Sequence, residues 1–324
     1  MTFPLWAWLL FHAVVIAMLA VDLGVFHRNA HEVRLKEAIA WSVVWILIGL
    51  AFNAFIFLTW GPEPALHFLT AYLVEKSLSV DNLFVFAVIF AYFGVPAAYQ
   101  HRVLFWGILG AVVMRATFIF AGVQLLRAFH GMVYAFGAFL IYAGIRLARR
   151  VEEEVRPEHN PVLRLARRFL PIVPAYRGQR FLVREDGRWM ATPLLLTLLV
   201  IESTDVMFAL DSVPAVLAIT PELFIAYTSN IFAILGLRAL YFVLAGLIQR
   251  LRYLHLGLSL ILVYIGVKML LSDLVKVPPA LSLGVVVSVL LASGLASWAA
   301  ERHEKAHAGA LPLGGEPAKG KARR

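Results

Sequence analysis

Apolar residues are grouped along the chain in blocks of roughly 20, the length of α-helix that crosses the hydrocarbon core of a bilayer. We count nine such blocks, separated by short polar or charged segments. They occupy residues 4–26, 38–59, 66–92, 101–123, 129–149, 190–218, 222–248, 253–271 and 280–300. The pattern predicts an all-α polytopic membrane protein with about nine transmembrane helices, in one membrane domain of residues 1–300.

The composition agrees with a membrane protein. The chain has 324 residues, of which 61% are hydrophobic, and its mean hydropathy of +0.80 lies far above that of soluble proteins. It contains no cysteine, so disulfides, thiolate metal ligands and cysteine redox chemistry are excluded. The first block has no Lys or Arg before it and no small-residue cleavage site, which predicts a retained helix rather than a signal peptide.

Positive charge is divided unevenly between alternate connecting segments. One side of the predicted membrane holds 23 of the 29 Lys and Arg residues, whereas the opposite side holds only Arg127 and Lys276. The positive-inside rule then places the N-terminus outside and the C-terminus in the cytoplasm, in a bacterial inner membrane. This placement accounts for the net charge of +9 without a nucleic-acid partner.

The only sizeable loop is a cytoplasmic insert of residues 150–189. Within it, Pro161–Phe169 is predicted to form a short basic amphipathic helix that lies on anionic lipid. Residues 180–190 are typical of a hairpin around Glu185-Asp186-Gly187. The insert is also where protein partners could bind. The basic tail of residues 301–324 is predicted to be disordered.

Three short landmarks recur in the same order in the two halves of the chain. The spacing from Asp81 to Arg115 is 34 residues, and that from Asp205 to Arg238 is 33. Because the two acidic spans would cross the membrane in opposite directions, helices 3–5 and 6–8 are predicted to be inverted-topology repeats, as in many secondary transporters. The landmarks pair Ser79-Val80-Asp81 with Ser203-Thr204-Asp205, Arg115-Ala116 with Arg238-Ala239, and Tyr142-Ala143-Gly144-Ile145-Arg146 with Tyr264-Ile265-Gly266-Val267-Lys268.

Eight charged side chains lie inside four of the predicted spans. Each charge at the centre of a membrane helix costs about 2.5–3.5 kcal/mol on insertion scales, so we expect these side chains to face one another or a water-filled cavity. They are Glu75, Lys76 and Asp81 in the third span, Arg115 in the fourth, Glu202, Asp205 and Asp211 in the sixth, and Arg238 in the seventh.

Helical spacing predicts which of these residues share a face. At about 100° per residue, Glu75 and Asn82 lie on nearly one face of the third span. Glu202 and Asp205, three residues apart, share a face of the sixth span. These two acidic helices are therefore expected to form a single cation site at mid-membrane.

Asp211 would point away from that site on a straight helix. Pro214 cannot donate to the carbonyl of Leu210, which favours a disturbance of the helix at that point. Either a break that turns Asp211 inward and exposes backbone carbonyls, or a simple kink, is consistent with the sequence.

The candidate ligands are all oxygen donors. Five carboxylates against three basic groups leave a formal charge of −2 if all are ionised, which suits one divalent cation. Oxygen ligands without cysteine or histidine favour Mn²⁺, Mg²⁺ or Ca²⁺ over Cu⁺ or Zn²⁺. The predicted ligands are Glu75, Asp81, Asn82, Glu202, Asp205 and Asp211, and the predicted counter-charges are Lys76, Arg115 and Arg238.

Two points stay open at this stage. Asp22, near the cytoplasmic end of the first span, is either an access residue for the ion or a charge that reaches the interface from a helix end. The buried charges could also form interhelical salt bridges that only hold the bundle together.

Several stretches resemble the TerC family of integral membrane proteins, over nearly all of the chain except the tail. The resembling stretches are Asp22-Leu23-Gly24 before a basic loop, Glu75-Lys76-Ser77-Leu78-Ser79-Val80-Asp81-Asn82, Glu202-Ser203-Thr204-Asp205 running on to Asp211-Ser212-Val213-Pro214-Ala215, and Thr228-Ser229-Asn230-Ile231-Phe232-Ala233-Ile234-Leu235-Gly236-Leu237-Arg238.

The family was named for tellurium resistance, includes pH-responsive members, and contains several proteins regarded as Mn²⁺ exporters. The resemblance therefore implies Mn²⁺ efflux, with the metal ion as substrate rather than as a tightly bound cofactor. The alternative is a membrane scaffold that recruits stress-response partners through the insert and does not transport. An enzyme is not expected, because the sequence contains neither HExxH nor Gly-x-Ser-x-Gly.

Overall fold

A computed structural model describes residues 3–26, 35–129, 131–149, 160–185, 187–245, 253–275 and 277–308, without the side chains of residues 22–26, 81, 84, 245 and 301–308. In this part of the chain there are eleven α-helices and one two-stranded sheet. In chain order the elements are α1 (Leu5–Phe26), α2 (Leu35–Trp60), α3 (Pro62–Phe93), α4 (Ala97–Ala128), α5 (Met132–Ala148), α6 (Pro161–Phe169), β1 (Leu182–Glu185), β2 (Arg188–Ala191), α7 (Pro193–Ile219), α8 (Leu223–Leu235), α9 (Leu237–Ala245), α10 (Leu254–Leu270) and α11 (Pro279–Ala308).

The helices confirm the predicted all-α polytopic architecture. By length and composition, α2, α4, α7 and the first 22 residues of α11 can each cross a membrane, and α8 with α9 does so as a pair bent by 43°. Shorter apolar helices are α1, α5 and α10. Every helix except α6 falls on one of the predicted spans, with α8 and α9 sharing the seventh. The last helix, α11, continues eight residues beyond the predicted span, into the segment that was expected to be disordered.

Local signals fix the ends of the long helix α3. Pro62 occupies the first turn, where its missing N–H is not needed, and Glu63 complements the positive end of the helix dipole. Gly94 ends the helix in the left-handed conformation, with φ of 63°, and its N–H reaches the carbonyls of Ala91 and Phe90. The result is a 32-residue helix that extends beyond the hydrocarbon core.

The two proposed repeats pack against each other through α5 and α10. A Cβ placed on Gly144 would lie 2.8 Å from the carbonyl oxygen of Ser259, and one on Gly266 would lie 2.7 Å from the carbonyl oxygen of Gly137. Gly144 and Gly266 occupy equivalent positions in the two repeats, and so do Gly137 and Ser259, each seven residues earlier. Each of the two glycines therefore contacts the residue that lies seven positions before its equivalent on the other helix. A two-fold relation between antiparallel helices produces this crossed pairing, as the inverted repeat requires.

The other repeat helices run side by side in parallel pairs. Glu75 of α3 meets Asn230 of α8, and the next residue, Lys76, meets Ala233, three residues further along α8. On the second pair, Gly107 of α4 lies against Ile201 of α7. Arg115 of α4 bonds to Glu75 of α3, Ser212 of α7 and Asn230 of α8, and so joins the two pairs into one bundle.

The helix break occurs at Gly236, not at Pro214. Helix α7 runs without interruption through Pro214, and Leu217 packs where a side chain on Gly122 would otherwise lie, so packing with α4 holds the helix together despite the missing hydrogen bond. At Gly236 the chain bends between α8 and α9. A Cβ there would lie 2.9 Å from Trp45 and from the Lys76 ammonium, so only glycine fits.

Helices α1 and α2 are attached to the repeats by aromatic side chains near the start of α1. Phe11 packs edge-on against Phe232 of α8, and Phe52 of α2 packs against the same ring. His12 stacks on Tyr227, and its Nε2 lies 3.3 Å from the tyrosine oxygen. These contacts support the prediction that the first two helices are additions around the repeat core.

The described part of the insert is folded and docked. The predicted hairpin forms, with Arg184 paired to Trp189 in register. Tyr176 donates a hydrogen bond of 2.7 Å to the carbonyl of Phe93 at the end of α3, and burial raises the pKa of its phenol above the usual value. Arg102 of α4 lies over the ring of Phe181, 5.3 Å from its centroid. The insert therefore contacts the α3–α4 corner.

Candidate functional site

Glu75 is the most enclosed acid of the site, with a side chain that is 0% exposed. Arg115 Nη1 donates to its Oε1 in a direct ion pair. Asn230 Nδ2 donates to its Oε2 at 2.9 Å, and Ser79 Oγ donates to Oε1 at 3.4 Å. A buried carboxylate is tolerated when it is paired and hydrogen-bonded in this way. Glu75 is therefore already saturated by protein groups.

Arg115 extends the same network to a fourth helix. Its Nη1 also lies 3.2 Å from Ser212 Oγ on α7 and 3.4 Å from Asn230 Oδ1 on α8. One guanidinium thus joins α3, α4, α7 and α8, which include helices of both repeats. We call Glu75, Arg115, Asn230 and Ser212 the polar knot. Arg115 Nε is buried and has no hydrogen-bond partner among the described residues.

The acids of α7 have different surroundings. The Glu202 carboxylate lies directly on α4, where a Cβ on Gly110 would be 2.1 Å from its Oε1. Glu202 is half-buried and lies three residues before Asp205, so the two carboxylates share one face of α7. Asp205 is 5% exposed and feels the positive charge of Arg115, which is already bonded to Glu75. The guanidinium near Asp205 is thus engaged by an acid of another helix.

Counted along the helix axes, the site residues lie at increasing depth in the bundle, and we call the following four residues the acidic column. Glu75 lies 13 residues, or about 20 Å, from the start of α3, and Asp205 lies 14 residues, or about 21 Å, from the end of α7. Glu202 is one turn further along, and Asn82, which is also buried, lies about 30 Å from the start of α3. The column runs from the polar knot towards the end of the bundle that carries the insert.

No preformed metal cage exists among the side chains that the structure describes, because nowhere do three or more acidic or histidine side chains converge as metal ligands would. The side chains of two predicted site residues, Asp81 in α3 and Asp22 in α1, lie outside the described part. The geometry of the remaining residues is that of a saturated ion pair next to an acidic pair.

The profile of the integral membrane protein TerC family matches residues 60–305. The chain belongs to the TerC family. The match begins at the end of α2 and includes every helix of the two repeats, with α11. Helices α1 and α2 lie almost wholly outside it.

Relatives of this TerC protein match over nearly their whole length. An uncharacterized membrane protein STKORF319 of Myxococcus xanthus is 53% identical over 296 residues, 91% of this chain and 93% of that protein. The putative membrane-bound redox modulator Alx of Escherichia coli (strain K12) is 46% identical over 309 residues, 92% and 96% of the two chains. An uncharacterized membrane protein of Rickettsia felis is 38% identical, covering 90% and 97%. No solved structure matches.

Lys76 of this TerC protein, predicted as a counter-charge, bonds to a backbone carbonyl in the part of the chain that the structure describes. Its Nζ donates to the carbonyl of Ala233 at 3.0 Å and lies against Gly236. Ala233 is in the last turn of α8, where carbonyl groups lose their helical partners and the helix dipole is negative. Lys76 therefore stabilises the break between α8 and α9.

Two further predicted site residues, Asp211 and Arg238, are positioned by α7 and α9. On the uninterrupted helix α7, Asp211 lies about 120° around the axis from Asp205 and is half-buried, so of the two alternatives at Pro214 the break does not occur. Arg238 is buried at the start of α9, directly after the break at Gly236.

Sequence reasoning missed the neutral members of the site. Asn230 and Ser212 belong to stretches that carry the family resemblance, but neither was assigned a role. Asn230 is a fully buried amide in an apolar helix, and a buried amide needs hydrogen-bond partners; that signal could have identified it. Gly110 gave no signal, since only the fold reveals that Glu202 packs on it.

Proposed function

We propose that this TerC protein exports a divalent metal cation, with Mn²⁺ as the favoured substrate, along a path lined by Glu202 and Asp205. The observation that carries the proposal is the charge imbalance at α7. Glu202, which is half-buried, and Asp205, which is buried, lie three residues apart on one face of α7, while Arg115 is bonded to Glu75. A divalent cation between the repeats would neutralise both.

The donor chemistry supports a hard or borderline ion. Carboxylates, with the amide oxygen of Asn82 as a further donor, suit Mn²⁺, Mg²⁺ and Ca²⁺. A chain without cysteine has no thiolate for a soft metal. An oxyanion such as tellurite would need a net positive pocket, whereas the acids of α7 make this one negative. Asp81, one residue before Asn82, would complete the site from α3.

Transport by alternating access is consistent with the repeat architecture. The repeats would rock around the acidic column, which begins near the cytoplasmic end of the bundle if the N-terminus is outside. Protons that bind Glu202 or Asp205 after the metal leaves would keep the pair neutral on the return step. In this proposal the protein sits in the bacterial inner membrane, and it moves its substrate without chemical conversion.

Metal flux in everted membrane vesicles tests this function. We expect the initial rate of Mn²⁺ uptake to fall at least about tenfold in Asp205→Asn and in Glu202→Gln, since each removes one of the two charges; tenfold corresponds to about 1.4 kcal/mol. Asp81→Asn is expected to lower the initial rate of Mn²⁺ uptake to a similar extent. Asp273→Asn is the matched control, because Asp273 binds exposed Tyr134 at the other end of the bundle. Unchanged uptake in both α7 variants would refute the proposal.

The scaffold remains the second candidate, because the insert is a folded unit docked on the α3–α4 corner and on α7. A relative named a putative membrane-bound redox modulator is compatible with such a role. It predicts that replacing Tyr176 and Asn160, which tie the insert down, abolishes stress resistance, while Asp205→Asn retains it. The export proposal predicts the reverse order of severity.

A further inference from the structure

Helix α6 carries an outward face that is both basic and apolar. Leu165 is 58% exposed and Phe169 is 68% exposed, and they lie four residues apart, hence on one side of the helix. Arg164 and Arg168 have the same spacing, and together with Pro161 and Leu165 they line a shallow surface groove. Residues 161–169 contain no acidic side chain.

The opposite face of α6 is fixed to the bundle. Leu163 and Ala166 are buried in the main hydrophobic core. Asn160 caps the helix, since its Oδ1 accepts from the N–H groups of Val162 and Leu163. Its Nδ2 donates to Ser203 Oγ of α7 at 2.8 Å. The helix therefore cannot rotate to hide its exposed apolar side chains, and their orientation is set by α7.

The level of α6 along the bundle coincides with one surface of the bilayer. Its first residues contact Ser203, which lies 16 residues or about 24 Å from the far end of α7. Beyond its last residue, Val173 pairs with Ala191, just before α7 begins, about 39 Å from that end. The hydrocarbon core is about 30 Å thick, so α6 stands across the boundary between acyl chains and headgroups.

We propose that the outward face of α6 binds the headgroups of anionic phospholipids. Leu165 and Phe169 would insert among the outer acyl carbons, and Arg164 and Arg168 would contact the phosphate groups. Arginine is suited to this contact because its planar fork binds phosphate through two N–H groups. This binding surface is independent of the proposed metal path and would hold whatever the protein transports.

A single spin label tests the proposal directly, because the chain has no native cysteine. The full-length Phe169→Cys variant, labelled with a nitroxide, is placed in nanodiscs of phosphatidylcholine or of an equal mixture of phosphatidylcholine and phosphatidylglycerol. Oxygen concentrates in lipid and a nickel chelate stays in water. The ratio of the label's collision rate with oxygen to its collision rate with the chelate therefore measures how deeply the label lies in the bilayer. We expect the ratio to be higher in the anionic discs and to fall about fivefold for each arginine replaced in Arg164→Gln and Arg168→Gln.

Two controls separate this surface from the general positive charge of the insert. Arg164→Lys with Arg168→Lys keeps the charge and is expected to retain most of the preference for anionic lipid. Arg184→Gln removes an exposed arginine of β1, which bonds only within the hairpin to the carbonyl of Gly187 in the described structure, and is expected to change nothing. Equal ratios in both lipids, equal loss in Arg184→Gln, or a label that stays in water, as a soluble protein partner would require, each overturns the proposal.

Discussion

The acids inside the helix bundle of this protein have two different electrostatic environments. Glu75 is paired with Arg115 and hydrogen-bonded by Asn230, so its charge is balanced inside the fold. Glu202 and Asp205 face each other's charge. Breaking a saturated buried pair leaves an uncompensated charge and destabilises, whereas removing one member of a repelling pair relieves repulsion. The same residue type therefore has a structural role on α3 and a proposed transport role on α7.

Stability measurements can separate these roles. We expect Arg115→Met to lower the free energy of unfolding by about 3–5 kcal/mol, because Glu75 stays buried without its ion pair. The double variant Glu75→Gln with Arg115→Met should recover much of that loss, since no lone charge remains. Thermal unfolding of the detergent-solubilised protein measures both. Asp205→Asn is the comparison and should unfold no earlier than the wild type; a single Arg115→Met variant as stable as wild type would contradict the role of the polar knot.

At the scale of elements, the break between α8 and α9 depends on a side chain from the other repeat. Lys76 of α3 donates to the carbonyl of Ala233 in the last turn of α8. Gly236 leaves room for that ammonium group. The corresponding helix of the first repeat, α4, is continuous over 32 residues. The two repeats thus share the order of their helices, run in opposite directions, and differ in the continuity of this helix.

Removing the Lys76 ammonium should loosen the break. In Lys76→Met the carbonyl of Ala233 loses a charged donor in a buried setting, and we expect a loss of about 1–3 kcal/mol in the free energy of unfolding. Lys268→Met, which shortens a half-buried lysine in the last turn of α10, serves as the control and should cost less. Hydrogen exchange at the amides of α8 and α9 gives a second reading. Protection equal to wild type there would show that Lys76 does not hold the break.

The helices, the hairpin and the helix break differ in how well the sequence predicts them. The spans, the hairpin and α6 were predictable, because apolar block length, turn residues and amphipathic spacing act locally. The position of the break was not, since Pro214 is a local signal whereas Gly236 responds to Lys76 of another helix. The polar knot was predicted only in part: charges in apolar spans stand out, but the neutral Asn230 that joins Glu75 and Arg115 does not.

At the scale of the whole molecule, two kinds of contact hold the repeats together. The polar knot joins α3 and α4 of the first repeat to α7 and α8 of the second. The crossed contact of α5 and α10 brings backbone against backbone at Gly144 and Gly266. If the repeats rock during transport, the close contact is suited to act as the pivot, because it has no long side chains to repack.

The two-fold relation makes a quantitative prediction at that pivot. Gly144→Ala and Gly266→Ala each place a Cβ within 3 Å of a backbone carbonyl oxygen, which cannot move aside as a side chain would. We expect each to lower the free energy of unfolding by a similar amount, about 1–3 kcal/mol. The double variant should cost less than their sum, since separating the helices once relieves both clashes. Gly284→Ala in α11, where a Cβ meets open space, should not destabilise the protein in the same thermal unfolding assay and gains up to about 1 kcal/mol from the higher helix propensity of alanine. Strongly unequal effects at the two positions would mean that α5 and α10 are not related by symmetry, and the pivot would have to be sought elsewhere.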